Sequence, residues 1–310
     1  MAELGIAFQT DKRAGRYGVL AAAAEDYGFD VVSVFADLLY QPPLPALHEM
    51  ARSTSRVRLG PACLNPYTQH PYEIAGAIAA LDAASGGRAY LGLARGAWLD
   101  AVGLTQRRPL AHLRDAAAII RVLLSGAASG YRGEVFGLAP GTRLRYRLPD
   151  RLPPLLLGTW GPRGVALAGE IADEVKVVVG AVTVVDEDGA AARRRARAEV
   201  AKYLAVVGEL DPTITLAPDL VTTVRELAAA GDDAAAGALI PDDVLDLFAF
   251  SGSPEHVASL AHRVLAAGAA RVDFGTPHGL TDDHGVALLG ARSCRCSGPS
   301  CASGHHGPGA

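Results

Sequence analysis

The sequence predicts an α/β fold, a (β/α)8 TIM barrel, and three observations lead to it. Short apolar runs alternate with helix-like stretches from the first residues onward, eight such runs can be counted although the seventh is weak, and the second, third and fourth are apolar enough to be covered on both faces. A chain of 310 residues fits one large barrel or two ordinary domains, so the alternation makes the choice and the length does not.

Leu4 to Phe8 is the first strand. Tyr17, Leu20, Ala21 and Ala24 then recur at helical spacing up to Gly28, where a residue without Cβ takes the left-handed cap conformation. Val31 to Phe35, Val57 to Cys63 and Ala89 to Leu93 are the second, third and fourth strands. Between the last two, Pro71 opens a helix with Ile74, Ile78 and Leu81 on one face, and Ser85-Gly86-Gly87 closes it. Leu155 to Gly158, Val175 to Val179, a short run near Phe248 to Phe250, and Arg271 to Phe274 complete the count. Pro162 and Pro254 each stand at a first helical position, the latter behind Ser253 as N-cap. Two stretches exceed a simple crossover and are expected to shape the barrel mouth as insertion segments. Residues 97–150, after strand four, carry GTRLRYRLPDRLPP, and residues 183–245 carry the basic helix RRRARAEVAKYLAVV. Residues 1–290 form the barrel domain, and residues 291–310, which lack any apolar period, read as a disordered tail.

Half of the residues are hydrophobic and 20% are charged, which suits a packed core and argues against a disordered chain. A net charge of -4, spread along the chain, gives no field to gather nucleic acid or an anionic membrane, so a small-molecule substrate is expected. MAELGIAFQTDKRAG lacks the basic start and apolar stretch of a secretory signal, and no run reaches the ~20 apolar residues of a membrane span. A cytoplasmic location is the expectation. Cys294, Cys296 and Cys301 crowd the tail beside His305 and His306, but their spacing matches no zinc module, and no metal is expected.

In such a barrel the active site is assembled at the carboxyl ends of the strands. Those ends carry Asp37, the run Cys63-Leu64-Asn65-Pro66-Tyr67, the run Ala94-Arg95-Gly96-Ala97-Trp98, the run Gly158-Thr159-Trp160-Gly161-Pro162, Gly180, and Gly275-Thr276-Pro277-His278. Glycines at the start of a helix leave free N–H groups for a phosphate, and the ends of strands five and eight are the best candidates, although any one glycine serves equally to turn the chain.

Residues 55–98, SRVRLGPACLNPYTQHPYEIAGAIAALDAASGGRAYLGLARGAW, closely resemble the luciferase-like superfamily, and within it the deazaflavin-dependent methylenetetrahydromethanopterin reductases. Residues 155–175 and 250–279 are similar to the same family's fifth-strand turn and its last two units. The resemblance implies a barrel that binds coenzyme F-420 or FMN, with the ring in the mouth and the phosphates near strands five to eight. It implies a non-proline cis peptide at Ala62-Cys63, a bulge that backs the ring, although Cys63 also reads as an ordinary buried thiol. Asp37 matches a position where the family has an acidic residue or histidine beside the cofactor, and it reads either as a general acid or as a helix N-cap. Asn65 bonds the ring edge or caps the turn before Pro66, and Arg95 neutralises an anionic cofactor group or pairs with a carboxylate. Gly96, Gly158, Thr159, Trp160, Gly161, Pro162, Gly180, Gly275 and Thr276 complete the expected cofactor site.

One departure stands out. Where the deazaflavin enzymes carry an acid after the strand-four glycine as proton donor, this chain has Gly96-Ala97-Trp98, and Asp100 is the nearest acid. The implied function is hydride transfer between coenzyme F-420 and an organic substrate, with Asp37 and Asp100 as candidate catalytic groups and a homodimer as the usual assembly. An FMN-dependent monooxygenase is the alternative, and a barrel that binds cofactor or ligand without turnover is the third reading.

Overall fold

The computed structural model describes residues 2–173, 178–210 and 214–293. The chain runs β1 (Glu3–Phe8), α1 (Arg16–Asp26), β2 (Val31–Phe35), α2 (Pro43–Ser53), β3 (Arg58–Ala62), α3 (Pro71–Ser85) and β4 (Leu91–Ala94). A short 3-10 helix (Leu99–Val102), α4 (Pro109–Leu124), a hairpin of β5 (Tyr131–Arg132) and β6 (Gly137–Leu138), β7 (Leu155–Gly158) and α5 (Gly161–Ile171) follow. Then come β8 (Val178–Val185), α6 (Gly189–Leu210), α7 (Pro218–Ala229), α8 (Asp233–Ala238), α9 (Asp242–Phe248), β9 (Ala249–Gly252), α10 (Pro254–Ala266), β10 (Arg271–His278) and α11 (Asp282–Ser293).

The helix ends follow the local chemistry read above. Pro71 stands in the first turn of α3, His70 Nδ1 accepts from the Tyr72 N–H at 3.1 Å, and Gly86 closes the helix at φ 69°. Ser253 caps α10 by accepting from the His256 N–H.

Eight parallel strands form one ladder among the described residues. β3, β2, β1, β10, β8 and β9 pair in that order, single bridges at Leu59 to Ala89 and Leu64 to Leu93 carry β3 onto β4, and β4 pairs with β7. This is the architecture of a (β/α)8 barrel, with helices packed around the strands. Two apolar clusters lie between strands and helices, one centred on Ile6, Phe8, Leu47, Met50 and Phe274 and one on Ile74, Ile78, Leu93, Ile119 and Leu123. A third, around Ala196, Val200, Leu204 and Val224, holds α6 to α7 and α8.

β10 pairs directly with β8, and β9 attaches to the far edge of β8. Two expectations are corrected. The first part of the expected strand at 175–179 lies outside the described residues, and the strand that is described runs on to Val185 because its backbone is paired on both edges. The segment 97–150 is not wholly an insertion, since α4 within it is the crossover helix between β4 and β7. The tail beyond residue 293 lies outside the described residues.

The lower half of the barrel is filled by polar side chains. Arg271 and Asp273, two residues apart on β10, are both buried and bonded to each other at 3.0–3.1 Å. The Arg271 guanidinium lies 5.6 Å from the centre of the Tyr90 ring, and the Tyr90 hydroxyl donates to Ser33 Oγ at 2.7 Å. A side chain on Gly5 would strike Asp273, and one on Gly60 would strike Tyr90, so both glycines make room for this plug.

Candidate functional site

The carboxyl ends of the strands open on the other side of that plug. Gln9 and Thr10 follow β1 and are 3% and 2% exposed, an unusual depth for two polar residues. Gln9 Nε2 donates to Asp37 Oδ2 at 2.8 Å, which ties the end of β1 to the end of β2. Burial pushes the Asp37 carboxyl up from its ordinary value, and the Gln9 bond offsets only part of that. The Gln9 side-chain oxygen is occupied by the Thr10 N–H at 2.9 Å, so the amide is fixed with its nitrogen toward Asp37.

The floor of the mouth is built from β3, β4 and β7. The Ala62-Cys63 peptide is cis, as the resemblance implies. Added Cβ atoms on Gly92 and Gly158 would each stand 3.0 Å from the Cys63 sulfur, so the thiol fits between two strands only because both carry glycine there. Burial pushes this thiol to about 12, and a backbone bond from Gly158 only moderates the effect. Cys63 is therefore a neutral wall and not a nucleophile at neutral pH.

Asn65 Oδ1 accepts from the N–H groups of Tyr67 and Thr68 at 3.1 and 3.0 Å and from the Thr68 hydroxyl at 3.1 Å. Its oxygen thus serves the turn, while its side chain backs Gly96, which holds φ 81°. Gln106 Nε2 donates to the carbonyls of Arg95 and Gly96 at 3.0 and 2.6 Å and fixes the same loop from above. Arg95 Nε is buried without a hydrogen-bond partner among the described residues. A buried guanidinium N–H left unpaired costs ~1–3 kcal/mol or more, so its position calls for an anion or another acceptor.

Ala94 pairs with Gly158, so Arg95 and Thr159 leave neighbouring strands side by side. α5 starts directly after Thr159 and Trp160, and its N-cap Trp160 supplies no side-chain bond to the first-turn N–H groups. Gly164 in that first turn has no room for a side chain, because Thr159 Oγ1 occupies the space. Gly161 and Pro162 complete the turn, and Trp160 is 46% exposed.

Other expected residues fall elsewhere. Gly180 lies inside β8 opposite Asp273, five residues before the strand ends at Val185, so it is not on the rim. The reading stopped that strand at glycine, but β10 pairs straight across it. Gly275 and Thr276 also belong to the strand, since β10 continues to His278 through a cis Thr276-Pro277 bond. Gly275 is where the backbone of β10 passes against the Ala181 carbonyl. Asp100 is exposed on the 3-10 helix that leads away from Trp98.

Two rim residues, Gln9 and Thr10, escape the sequence reading, while His278, noted there at the end of the eighth strand without a role, is fully buried. His278 Nε2 sits 3.0 Å from the Ala7 carbonyl, its ring lies 4.9 Å from that of Phe8, and Asp282 is 3.9 Å from Nδ1. Lys12 joins this group through Asp282 at 3.2 Å. The signal for Gln9 and Thr10 was a polar pair immediately after an apolar strand, the same criterion that picks out Asp37.

The geometry is therefore a polar-bottomed barrel with a sulfur and glycine floor, a half-buried acid held by Gln9, and, beyond two neighbouring strands, a buried Arg95 Nε–H without a hydrogen-bond partner among the described residues and a helix start without a side-chain cap. Comparison with known proteins places the chain in a family. Residues 4–175 match the family model described as luciferase-like monooxygenase. The chain is 29% identical over 329 residues to the 5,10-methylenetetrahydromethanopterin reductase of Archaeoglobus fulgidus, covering 93% of this chain and 97% of that one. It is 35% identical over 170 residues to the F-420-dependent glucose-6-phosphate dehydrogenase of Nakamurella multipartita, half of this chain and 49% of the relative. Its fold superposes on the coenzyme F-420-dependent tetrahydromethanopterin reductase of Methanopyrus kandleri with a TM-score of 0.83 and 24% identity, over 93% of this chain and 97% of that one. The chain belongs to the luciferase-like monooxygenase family.

Proposed function

We propose that this chain is an oxidoreductase that passes a hydride between coenzyme F-420 and an organic small molecule at the barrel mouth. The observation that carries the reading is Arg95 Nε, buried without a hydrogen-bond partner among the described residues, beside the first turn of α5, which no side chain of its N-cap residue caps. Both suit a phosphate or carboxylate, and a flat ring fits a floor from which Gly92 and Gly158 withhold side chains. The reductases and the dehydrogenase named above support the deazaflavin over FMN.

When bound, the deazaflavin supplies the carbon that gives or receives the hydride. The chain's own residues do the rest. Arg95 and the α5 first turn, with Thr159, Gly161 and Pro162 shaping it, hold the anionic part. Ala62, Cys63 and Gly158 back the ring and exclude water from it. Asp37, fixed by Gln9, is the half-buried acid placed to hold or move a proton at its carboxyl oxygen. Asp100, exposed on its helix, is not needed for this scheme. The reading includes a homodimer acting in the cytoplasm, which sedimentation velocity and cell fractionation check.

Titration of the protein with coenzyme F-420 and with FMN, followed by tryptophan quenching, tests the assignment. F-420 should bind, and Arg95→Met should weaken it roughly tenfold or more and flatten its salt dependence. Binding of FMN with no response to F-420 would replace this reading by the FMN monooxygenase. An unchanged affinity in R95M would remove the anion site from it.

A further inference from the structure

The two long segments that flank the mouth meet across it. Trp98 comes from the loop after β4 and Tyr203 from α6, and their rings form an edge-to-face pair with centroids 5.6 Å apart at 61°. Trp98 holds φ 53°, in the left-handed region that a bulky side chain rarely adopts, so its surroundings impose the conformation. Burial first, and then Asp37, Tyr40, Glu199 and Asp11, push the Tyr203 phenol above its ordinary value. Of these neighbours, Asp11, Asp37 and Tyr40 belong to the loops after β1 and β2, whereas Glu199 lies one turn away on α6 itself. Tyr203 therefore lies within electrostatic range of the loops after β1 and β2, the side of the mouth that carries Asp37. α6 can hold this position because Ala196, Val200 and Leu204 are fully buried against α7 and α8.

We propose that Trp98 and Tyr203 form the roof of the substrate space above Asp37 and set the size of the molecule admitted. The substrate part of this proposal rests on the hydride-transfer reading; the existence of the roof does not. A floor of sulfur and glycine with an aromatic lid leaves a slot whose height depends on the lid, so removal of the Tyr203 ring should relax selection against bulky substrates. The hydroxyl plays no part in that selection.

The chain has two tryptophans, Trp98 and Trp160, so 5-fluorotryptophan labelling gives two 19F resonances that W98F assigns. Tyr203→Ala should shift the Trp98 resonance and leave that of Trp160 in place, while Tyr203→Phe should shift neither. With reduced coenzyme F-420 and carbonyl acceptors graded in size, Y203A should raise kcat/KM for the largest relative to the smallest by roughly tenfold, and Y203F should keep the wild-type ranking. A Trp98 resonance unmoved by Y203A would show that the rings do not meet in solution and overturn the roof. A moved resonance with unchanged size ranking would overturn its part in selection. If the wild-type chain takes up no F-420, the hydride-transfer reading falls, while the 19F spectra still decide whether the roof exists.

Discussion

Replacing Glu25 by Gln tests how the barrel holds the approach to its catalytic floor. Glu25, near the end of α1, accepts from the N–H groups of Ser55, Arg56 and Val57 at 3.0, 2.6 and 2.9 Å and from the Ser55 hydroxyl at 3.1 Å. These donors lie in the loop that enters β3, and β3 ends at the Ala62-Cys63 peptide. Burial alone would raise the Glu25 carboxyl, but the donors outweigh it and hold the group at about 2, against an ordinary 4.5. At ~1.4 kcal/mol per unit, a depression of that size corresponds to roughly 3 kcal/mol in favour of the folded state at neutral pH. Because the folded value lies below the unfolded one, this stability is complete above about 4.5 and is lost as the pH falls through 2. Oε2 accepts from all three N–H groups, so a glutamine oxygen there keeps them, but its NH2 then replaces Oε1 against the Ser55 N–H and hydroxyl, and the charge that strengthens every bond is lost. E25Q should therefore lower the unfolding free energy by ~2–3 kcal/mol at pH 7. Urea unfolding followed by circular dichroism across pH 7 to 3 measures it, and the gap from wild type should narrow toward the acid end. A gap below about 1 kcal/mol at pH 7, or one constant down to pH 3, refutes the argument.

Two further outcomes follow from the same kind of reasoning. Asp37 is raised by burial, so its contribution to stability declines as pH rises above the unfolded value of 3.8, and Asp37→Asn should melt at a higher temperature than wild type at pH 7. The same variant should lose ~10–100-fold in hydride transfer, and a D37N protein that melts lower would show that no buried charge was relieved. Gly92→Ala would set a methyl against the Pro61 carbonyl and 3.0 Å from the Cys63 sulfur, costing ~1–3 kcal/mol and loosening the floor. An unchanged urea midpoint for G92A would mean that β3 and β4 lie farther apart than the structure places them.

The local chemistry was more legible in the sequence than the long-range pairing. Pro71, Ser253 and the Gly86 cap mark helix ends because their effect is confined to one turn, and Asp37 stands out as an acid directly after an apolar strand. Gly180 and Gly275 were read as strand ends because glycine interrupts an apolar run, whereas a strand paired on both sides keeps its direction through a glycine. The adjacency of β8 and β10 has no local signature, since it joins strands far apart in the sequence. The alignment with the Archaeoglobus fulgidus reductase spans 329 residues while taking in only 93% of this 310-residue chain, so the relative carries residues that this chain lacks. Asp100 was judged by its distance along the sequence, and the 3-10 helix turns it outward. Tyr203 was invisible for a similar reason: only the packing of α6 brings residue 203 next to residue 98.

The polar plug explains why the mouth can be a site at all. Arg271, Asp273, Tyr90 and Ser33 satisfy one another at short range and occupy the lower barrel, with Gly5 and Gly60 too small to compete for that space. Burial pushes the Asp273 carboxyl up and Arg271 pulls it back, so the pair tolerates its enclosure only while both members remain. A ligand that entered past Cys63 would have to separate them and leave a buried charge exposed to no partner, a cost of several kcal/mol. Entry past the sulfur and the two glycines beside it is thus costly, and on the proposed roof a bound molecule would lie between that floor and the rings of Trp98 and Tyr203. On the proposed roof, the substrate space is bounded from below by an ion pair and from above by an aromatic pair.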